Sequence, residues 1–197
     1  MDYQIASKKL IFTTVISSII FITASFIFSL ILSRKSIALC SNGQSIVGVI
    51  HLEHNQTILI PSKSLKDTLS CVGKGMSLYD RTIELVYAPG MSTSFLEELN
   101  TRYTVTSSTD VINIDLQPQI NILKDTIRID ADKQYVIFRT HVQNPFEFEE
   151  VLDSFQPQIV VVPELDFVIK QLLEKSEKMS GIQLIELREG ETATYSL

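Results

Sequence analysis

The hydrophobic pattern divides the chain into two regimes. From Leu10 to Leu32 there is no charged residue, no Pro and no Gly, only Ile, Phe, Leu, Val and Ala with interspersed Ser and Thr. Residues 10–32, at about 1.5 Å per residue, extend roughly 34 Å as a helix, enough to cross a hydrocarbon core of about 30 Å with some tilt. The run is rich in β-branched residues. In lipid the backbone must nonetheless satisfy its own hydrogen bonds, and a lone spanning segment does so as a helix. Ser17, Ser18, Thr23, Ser25 and Ser29 are read as tolerated polarity or as a small-residue face toward another helix.

Two rival readings of this segment fit it less well. A cleaved secretory signal has a shorter apolar stretch and a small-x-small cleavage site, whereas here the run ends in Ser33-Arg34-Lys35. A lipoprotein signal is suggested by Ile37-Ala38-Leu39-Cys40, but Leu39 is too large for the position before a lipidated Cys. The expected layout is a short cytoplasmic tail (residues 1–9), a transmembrane helix (10–32), and one extracytoplasmic α+β domain (36–197). Lys8 and Lys9 on one flank nearly balance Arg34 and Lys35 on the other. Orientation is therefore argued from the short tail before a signal-anchor and from cysteine usage. The expected location is a bacterial inner membrane, with the C-terminal domain in the periplasm.

Beyond the anchor, apolar positions recur with the short periods of strands and helices. Ser45–His54 alternates as a strand, and a turn at His54–Thr57 leads to Ile58–Ile60. Ser64–Cys71 reads as a short helix broken by Gly73 and Gly75. Thr82–Tyr87 is a strand, and Ser92 or Thr93 caps a helix through Asn100 with Phe95, Leu96 and Leu99 inward. Residues 103–142 look β-rich: Val111–Leu116, Ile120–Leu123, Thr126–Ile129 and Gln134–Val142, the last two joined as a hairpin by Asp130–Lys133.

Asn144-Pro145 is an N-cap with Pro at the first helical position, and acids follow it. Gln158–Val162 is a buried strand. Pro163 is expected to open a helix with Leu165, Val168, Ile169, Leu172 and Leu173 inside, stopped by Gly181. Ile182–Leu187 and Thr192–Ser196 are strands joined by a turn at residues 188–191. The fold class is α+β: one N-terminal transmembrane helix, then a single mixed α/β domain, a sheet packed by helices with a βαβαβ-like C-terminal part. This closing layout resembles the C-terminal extension of WYL-type regulators, but the likeness includes no side chain of functional meaning and implies only the βαβ patterning.

Charge narrows the functional classes. The formal charge is −6, and residues 147–197 carry eleven acids against four bases. That balance offers no basic footprint for nucleic acid. The acids read as solvated surface or as an acidic docking face. Cys40 and Cys71 are the only cysteines; they are either two unrelated buried thiols or a disulfide suited to an oxidising compartment.

No catalytic, cofactor-binding or metal motif is found. His51-Leu52-Glu53-His54 has metal-ligand residue types, but on a strand His51 and His54 point to opposite sides. Gly73-Lys74-Gly75 lacks the rest of a phosphate loop, and adjacent acids such as Glu97-Glu98 diverge by about 100° on a helix. The expectation is therefore a non-enzymatic, single-pass membrane protein. It contacts lipid through residues 10–32 and acts through protein–protein interaction, as a subunit of a secretion-, pilus- or conjugation-type envelope assembly. The alternatives are an accessory subunit that stabilises or gates a membrane-anchored regulator or sensor, a domain binding a small apolar ligand, and a membrane-tethered enzyme.

Overall fold

The computed structural model describes residues 15–23, 35–52, 56–76, 80–110, 112–114, 118–123, 125–142, 144–176 and 179–197. Residues 15–23 are helical (α1); the rest of the expected span, 10–14 and 24–32, lies outside the described residues, as do the tail 1–9 and His54. Among the described residues no helix is long and apolar enough to cross a membrane.

Two mixed sheets, rather than one, form the folded part. The first has the order β12-β1-β2-β3-β4-β5, built from β1 (Ser36–Ser41), β2 (Ile46–His51), β3 (Thr57–Ile60), β4 (Thr82–Tyr87), β5 (Thr104–Thr109) and β12 (Thr192–Ser196). The second has the order β11-β10-β9-β8-β7-β6, from β6 (Ile112–Ile114), β7 (Gln119–Leu123), β8 (Thr126–Asp130), β9 (Gln134–Phe138), β10 (Ile159–Pro163) and β11 (Gln183–Leu187). Side-chain alternation explains the layering. In β1, Ile37 and Leu39 enter the core between the sheets, while Ala38 and Cys40 face a helical layer. In β10, Ile159 and Val161 face the inter-sheet core, and Val160 and Val162 face the opposite helices. A strand buried on both faces reads as a continuous apolar run.

Helices α2 (Leu65–Gly75) and α3 (Thr93–Arg102) cover the first sheet, with Cys71, Val72, Phe95 and Leu99 in that layer. Helices α4 (Pro145–Phe155) and α5 (Phe167–Glu174) cover the second, through Phe148, Leu152 and Ile169. The caps follow the local chemistry. Ser64, Ser92 and Asn144 each accept a backbone N–H of the first turn, and Pro145 sits where no intrahelical N–H is needed.

Several expectations are corrected here. Ser36–Ser41, to which the hydrophobic pattern assigns no element, is a buried strand paired with β2 and β12. Gly73 and Gly75 do not break α2, which runs to Gly75. Pro163 ends β10 instead of opening a helix, and α5 begins at Phe167. Val168 is 66% exposed rather than internal, while its neighbour Ile169 is buried; the Leu172 and Leu173 side chains lie outside the described set. β5 was not anticipated as a discrete strand, since its Thr- and Ser-rich sequence carries no apolar alternation. The expected turn at residues 188–191 is present and carries the chain from the second sheet (β11) to the first (β12).

Candidate functional site

Strand direction places a cleft at one end of the molecule. β1 begins at Ser36, paired with His51 and Ser196, and runs away from that entry end to the turn at residues 42–45. The six residues of β1 correspond to about 20 Å of strand. At the far end the two sheets meet: Ser45 and Thr140 form an isolated bridge, the Ile46 N–H donates to the Arg139 carbonyl at 2.8 Å, and the His141 N–H donates to the Gln44 carbonyl at 3.0 Å. The Arg139 guanidinium donates to the Pro61 carbonyl at 2.9 Å and lies 5.0 Å from the Tyr87 ring centroid, so one side chain couples both sheets. Burial pulls its pKa down from the usual value, opposed by Tyr87 and Asp125; a guanidinium remains charged regardless.

Parallel strands β9, β10 and β11 end at this far end. Ligand sites in α/β sheets gather outside the carboxyl ends of such strands. The loops leaving them, together with the β1–β2 and β7–β8 turns, line an open cleft of about 1170 Å³. Its wall combines Val142, Val151, Leu165 and Phe167 with the carboxylates of Asp125, Glu164, Asp166 and Glu189. Among the described lining residues there is no Lys or Arg, and His141 is the one basic side chain. It is half-buried and sits 3.0 Å from the exposed Asp166 carboxylate.

Local bonding makes the walls rigid. Asn42 Oδ1 accepts from the Ser45 N–H at 2.7 Å and the Gln44 N–H at 3.1 Å, while its amide donates to Asp67 at 2.8 Å. Gly43 holds φ at +83°, with Glu164 and Glu189 beside it: a Cβ there would lie 3.5 Å from Glu189 Cβ and 3.8 Å from Glu164 Oε2. The 164–167 loop is pinned by Glu186, which accepts from the Leu165 N–H at 3.0 Å and from Lys170 at 2.7 Å. Desolvation pushes the Glu186 pKa up, but Lys170, the Leu165 N–H and Arg188 outweigh it and hold the carboxyl below its ordinary range.

The first turns of α4 and α5 leave Phe146, Phe167 and Val168 exposed at 78%, 72% and 66%. Their neighbours Phe148 and Ile169 are buried. The exposed residues are therefore not core residues left uncovered; they lie on a separate face of the same two helices.

The other candidates have structural roles. Cys40 of β1 and Cys71 of α2 are bonded, with Cα atoms 5.7 Å apart, which ties the helix to the sheet. His51 is half-buried, with Nε2 2.8 Å from the Gly75 carbonyl and Nδ1 3.1 Å from Thr57 Oγ1. A carbonyl only accepts, so Nε2 carries the proton and His51 caps the end of α2. Among the described residues no group of three or more His, Cys, Asp or Glu is placed to hold a metal ion. The sequence reading, solvated surface or an acidic docking face, does not single out the cleft acids from the other acids of residues 147–197. Their signal was position: Glu164 directly follows β10, and Glu189 follows β11 by two residues.

No protein-family model matches the chain, and no curated protein matches its sequence. Among solved structures it is similar to the metallo-beta-lactamase fold protein YhfI from Bacillus subtilis, with 11% identity and a TM-score of 0.46 over 82% of this chain and 100% of that one. At that score the likeness carries no argument, and no residue role is taken from it.

Proposed function

We propose that the chain is a single-pass membrane protein whose extracytoplasmic domain, residues 36–197, works without catalysis by binding another protein in a bacterial envelope assembly. The observation that carries this reading is the exposure of three large apolar side chains, Phe146, Phe167 and Val168, in the first turns of α4 and α5. Exposed aromatic clusters rimmed by polar residues mark interaction surfaces more often than they occur by chance. Two further features support it. The apolar run 10–32 has the length and composition of a membrane anchor, and the bonded Cys40–Cys71 pair suits an oxidising compartment.

The reading as an apolar-ligand domain is less well supported, because the cleft is open and its wall carries four carboxylates. Topology is tested by adding protease outside spheroplasts. Digestion of residues 36–197 is expected, and their protection would reverse the orientation. Function is tested by replacing Phe146 and Phe167 with Ser and purifying after gentle detergent extraction. The unmodified chain is expected in a multi-subunit assembly that the double variant leaves; co-purification unchanged by the variant would sink the proposal.

A further inference from the structure

The two sheets end in four edge strands, β12 and β5 on the first, β11 and β6 on the second. An edge strand presents backbone donors and acceptors with which another strand can pair. We propose that β12 pairs antiparallel with β12 of a second copy of this chain, about a twofold axis at Thr194, so that the first sheets of the two copies join into one. This goes beyond the reading of the domain as a protein-binding module and does not depend on it.

The phase of the β1–β12 ladder decides which groups are available. The Ser41 N–H donates to the Glu191 carbonyl and the Leu197 N–H to the Lys35 carbonyl, each at 3.0 Å. Between these bonds Leu39 lies opposite Ala193 and Ile37 opposite Tyr195. Successive residues of an antiparallel strand direct their backbone groups to opposite edges. Ala193 and Tyr195 therefore bond to β1, while Thr192, Thr194 and Ser196 turn their N–H and C=O outward. Among the described residues no backbone group pairs with that outer edge.

The other edges are occupied, guarded or short. On β5 the Thr104 N–H turns inward to the Arg81 carbonyl, and the outward Val105 N–H is taken by Asn100 Oδ1 at 3.1 Å. β11 carries Glu186, and a charge discourages edge pairing. β6 has three residues. The sequence of β12, Thr-Ala-Thr-Tyr-Ser, has no charge, Pro or Gly. In a chain of net charge −6, an uncharged edge is where two copies meet with least repulsion.

The strand also fits itself. With Thr194 opposite the partner's Thr194, Thr192 faces the partner's Ser196, and every outward N–H and C=O of the three residues is used. Thr192, Thr194 and Ser196 are exposed, so hydroxyl side chains meet across the seam, a favourable cross-strand combination. On the other face Ala193 lies opposite the partner's Tyr195, small against large. Tyr195 is already positioned, packing on the inter-sheet core with its ring 5.8 Å from that of Tyr135, which lowers the ordering cost of association. Sliding the register by two residues sets Tyr195 against itself or Ala193 against itself, and the match is lost.

The test follows the full chain in density-matched detergent by sedimentation equilibrium. A dimer is expected, and a monomer throughout would overturn the proposal. Thr194→Pro removes an outward N–H that no bond within the chain uses, at an edge position where Pro is tolerated, and is expected to give monomer. Thr194→Lys sets like charges opposite each other across the axis; it should do the same, and it keeps the test decisive if the Pro variant misfolds. Thr106→Lys on β5 adds equal charge at the opposite edge and is expected to leave the dimer intact. Dissociation by that variant would show a general charge effect and overturn the proposal, as would a dimer that survives both Thr194 variants. Register is read by cross-linking, with Cys40 and Cys71 already bonded to each other. Opposed residues of a hydrogen-bonded pair have Cα atoms about 5.5 Å apart, within disulfide reach, so oxidised Thr194→Cys should run as a covalent dimer on a non-reducing gel. Thr192→Cys would lie roughly 14 Å from its own copy and should cross-link about tenfold less. Equal cross-linking at the two positions would deny a fixed register. Linkage of Thr194→Cys to a different protein would assign the edge to another partner, and either result overturns the pairing.

Discussion

Gly73 and Gly75 lie two residues apart in the last turn of α2, yet the same substitution should act on stability in opposite directions. At Gly73 an added Cβ would meet nothing within 4 Å, so Gly73→Ala keeps only the helix gain of about 1 kcal/mol. At Gly75 the Cβ would sit 3.1 Å from Ala38 Cβ and 3.2 Å from Val49 Cβ. Both neighbours are attached directly to the backbone of buried, paired strands, so no rotamer change relieves the contact and the helix end must lift. Overpacking of this kind costs about 1–3 kcal/mol. The propensity gain at a terminal position offsets at most about 1 kcal/mol of it, leaving Gly75→Ala destabilised by about 1 kcal/mol. Lifting the helix also stretches the 2.8 Å bond from His51 to the Gly75 carbonyl. For a domain of this size, 1 kcal/mol moves Tm by about 2–4 °C. The assay is thermal unfolding of the full chain in mild detergent, followed by tyrosine fluorescence, since the chain has six Tyr and no Trp. Gly73→Ala should melt higher than the parent and Gly75→Ala lower. Equal stabilisation by both would refute the close approach of helix and sheet.

Other perturbations separate structural from functional residues. Phe148 is fully buried and stacks on Phe138 at 4.9 Å, so Phe148→Ala should cost about 3–5 kcal/mol, while Phe146→Ser, two residues away, should change the same urea-unfolding free energy by less than about 0.5 kcal/mol. The Cys40–Cys71 bond closes a separation of 31 residues; chain entropy then predicts a loss of about 3–4 kcal/mol in Cys40→Ala/Cys71→Ala, seen as a lower denaturant midpoint, and an unchanged midpoint would count against a bonded pair. The lowered pKa of Glu186 contributes stability that is present in full above the unfolded-state value of about 4.3 and is lost as pH falls through the lower folded value. Glu186→Gln should therefore be less stable than the parent at pH 7, with the deficit shrinking below about pH 4; a deficit constant across that range would contradict the Lys170 pairing.

Much of the local structure could be read from the chain because it depends on neighbours in sequence. The alternation of β2, the apolar run of β10, the hairpin between β8 and β9, and the caps at Ser64, Ser92 and Asn144 all follow from side-chain periodicity or from one residue's bond to the next turn. The apolar run 10–32 is likewise a property of composition alone. What only the tertiary structure decided involves partners distant in sequence. Ser36–Ser41 is short, interrupted by Cys, and preceded by basic residues; it is a strand because β2 pairs on one side and β12, from the other end of the chain, pairs on the other. The polar β5 is held by its pairing to β4. The division into two sheets depends on where the 188–191 turn crosses, and periodicity within β11 and β12 is the same whether or not they pair. The cleft belongs to this second group: Asn42, Asp125, Glu164 and Glu189 come from four separate turns, and only the meeting of the sheets at Ser45 and Thr140 brings them to one place.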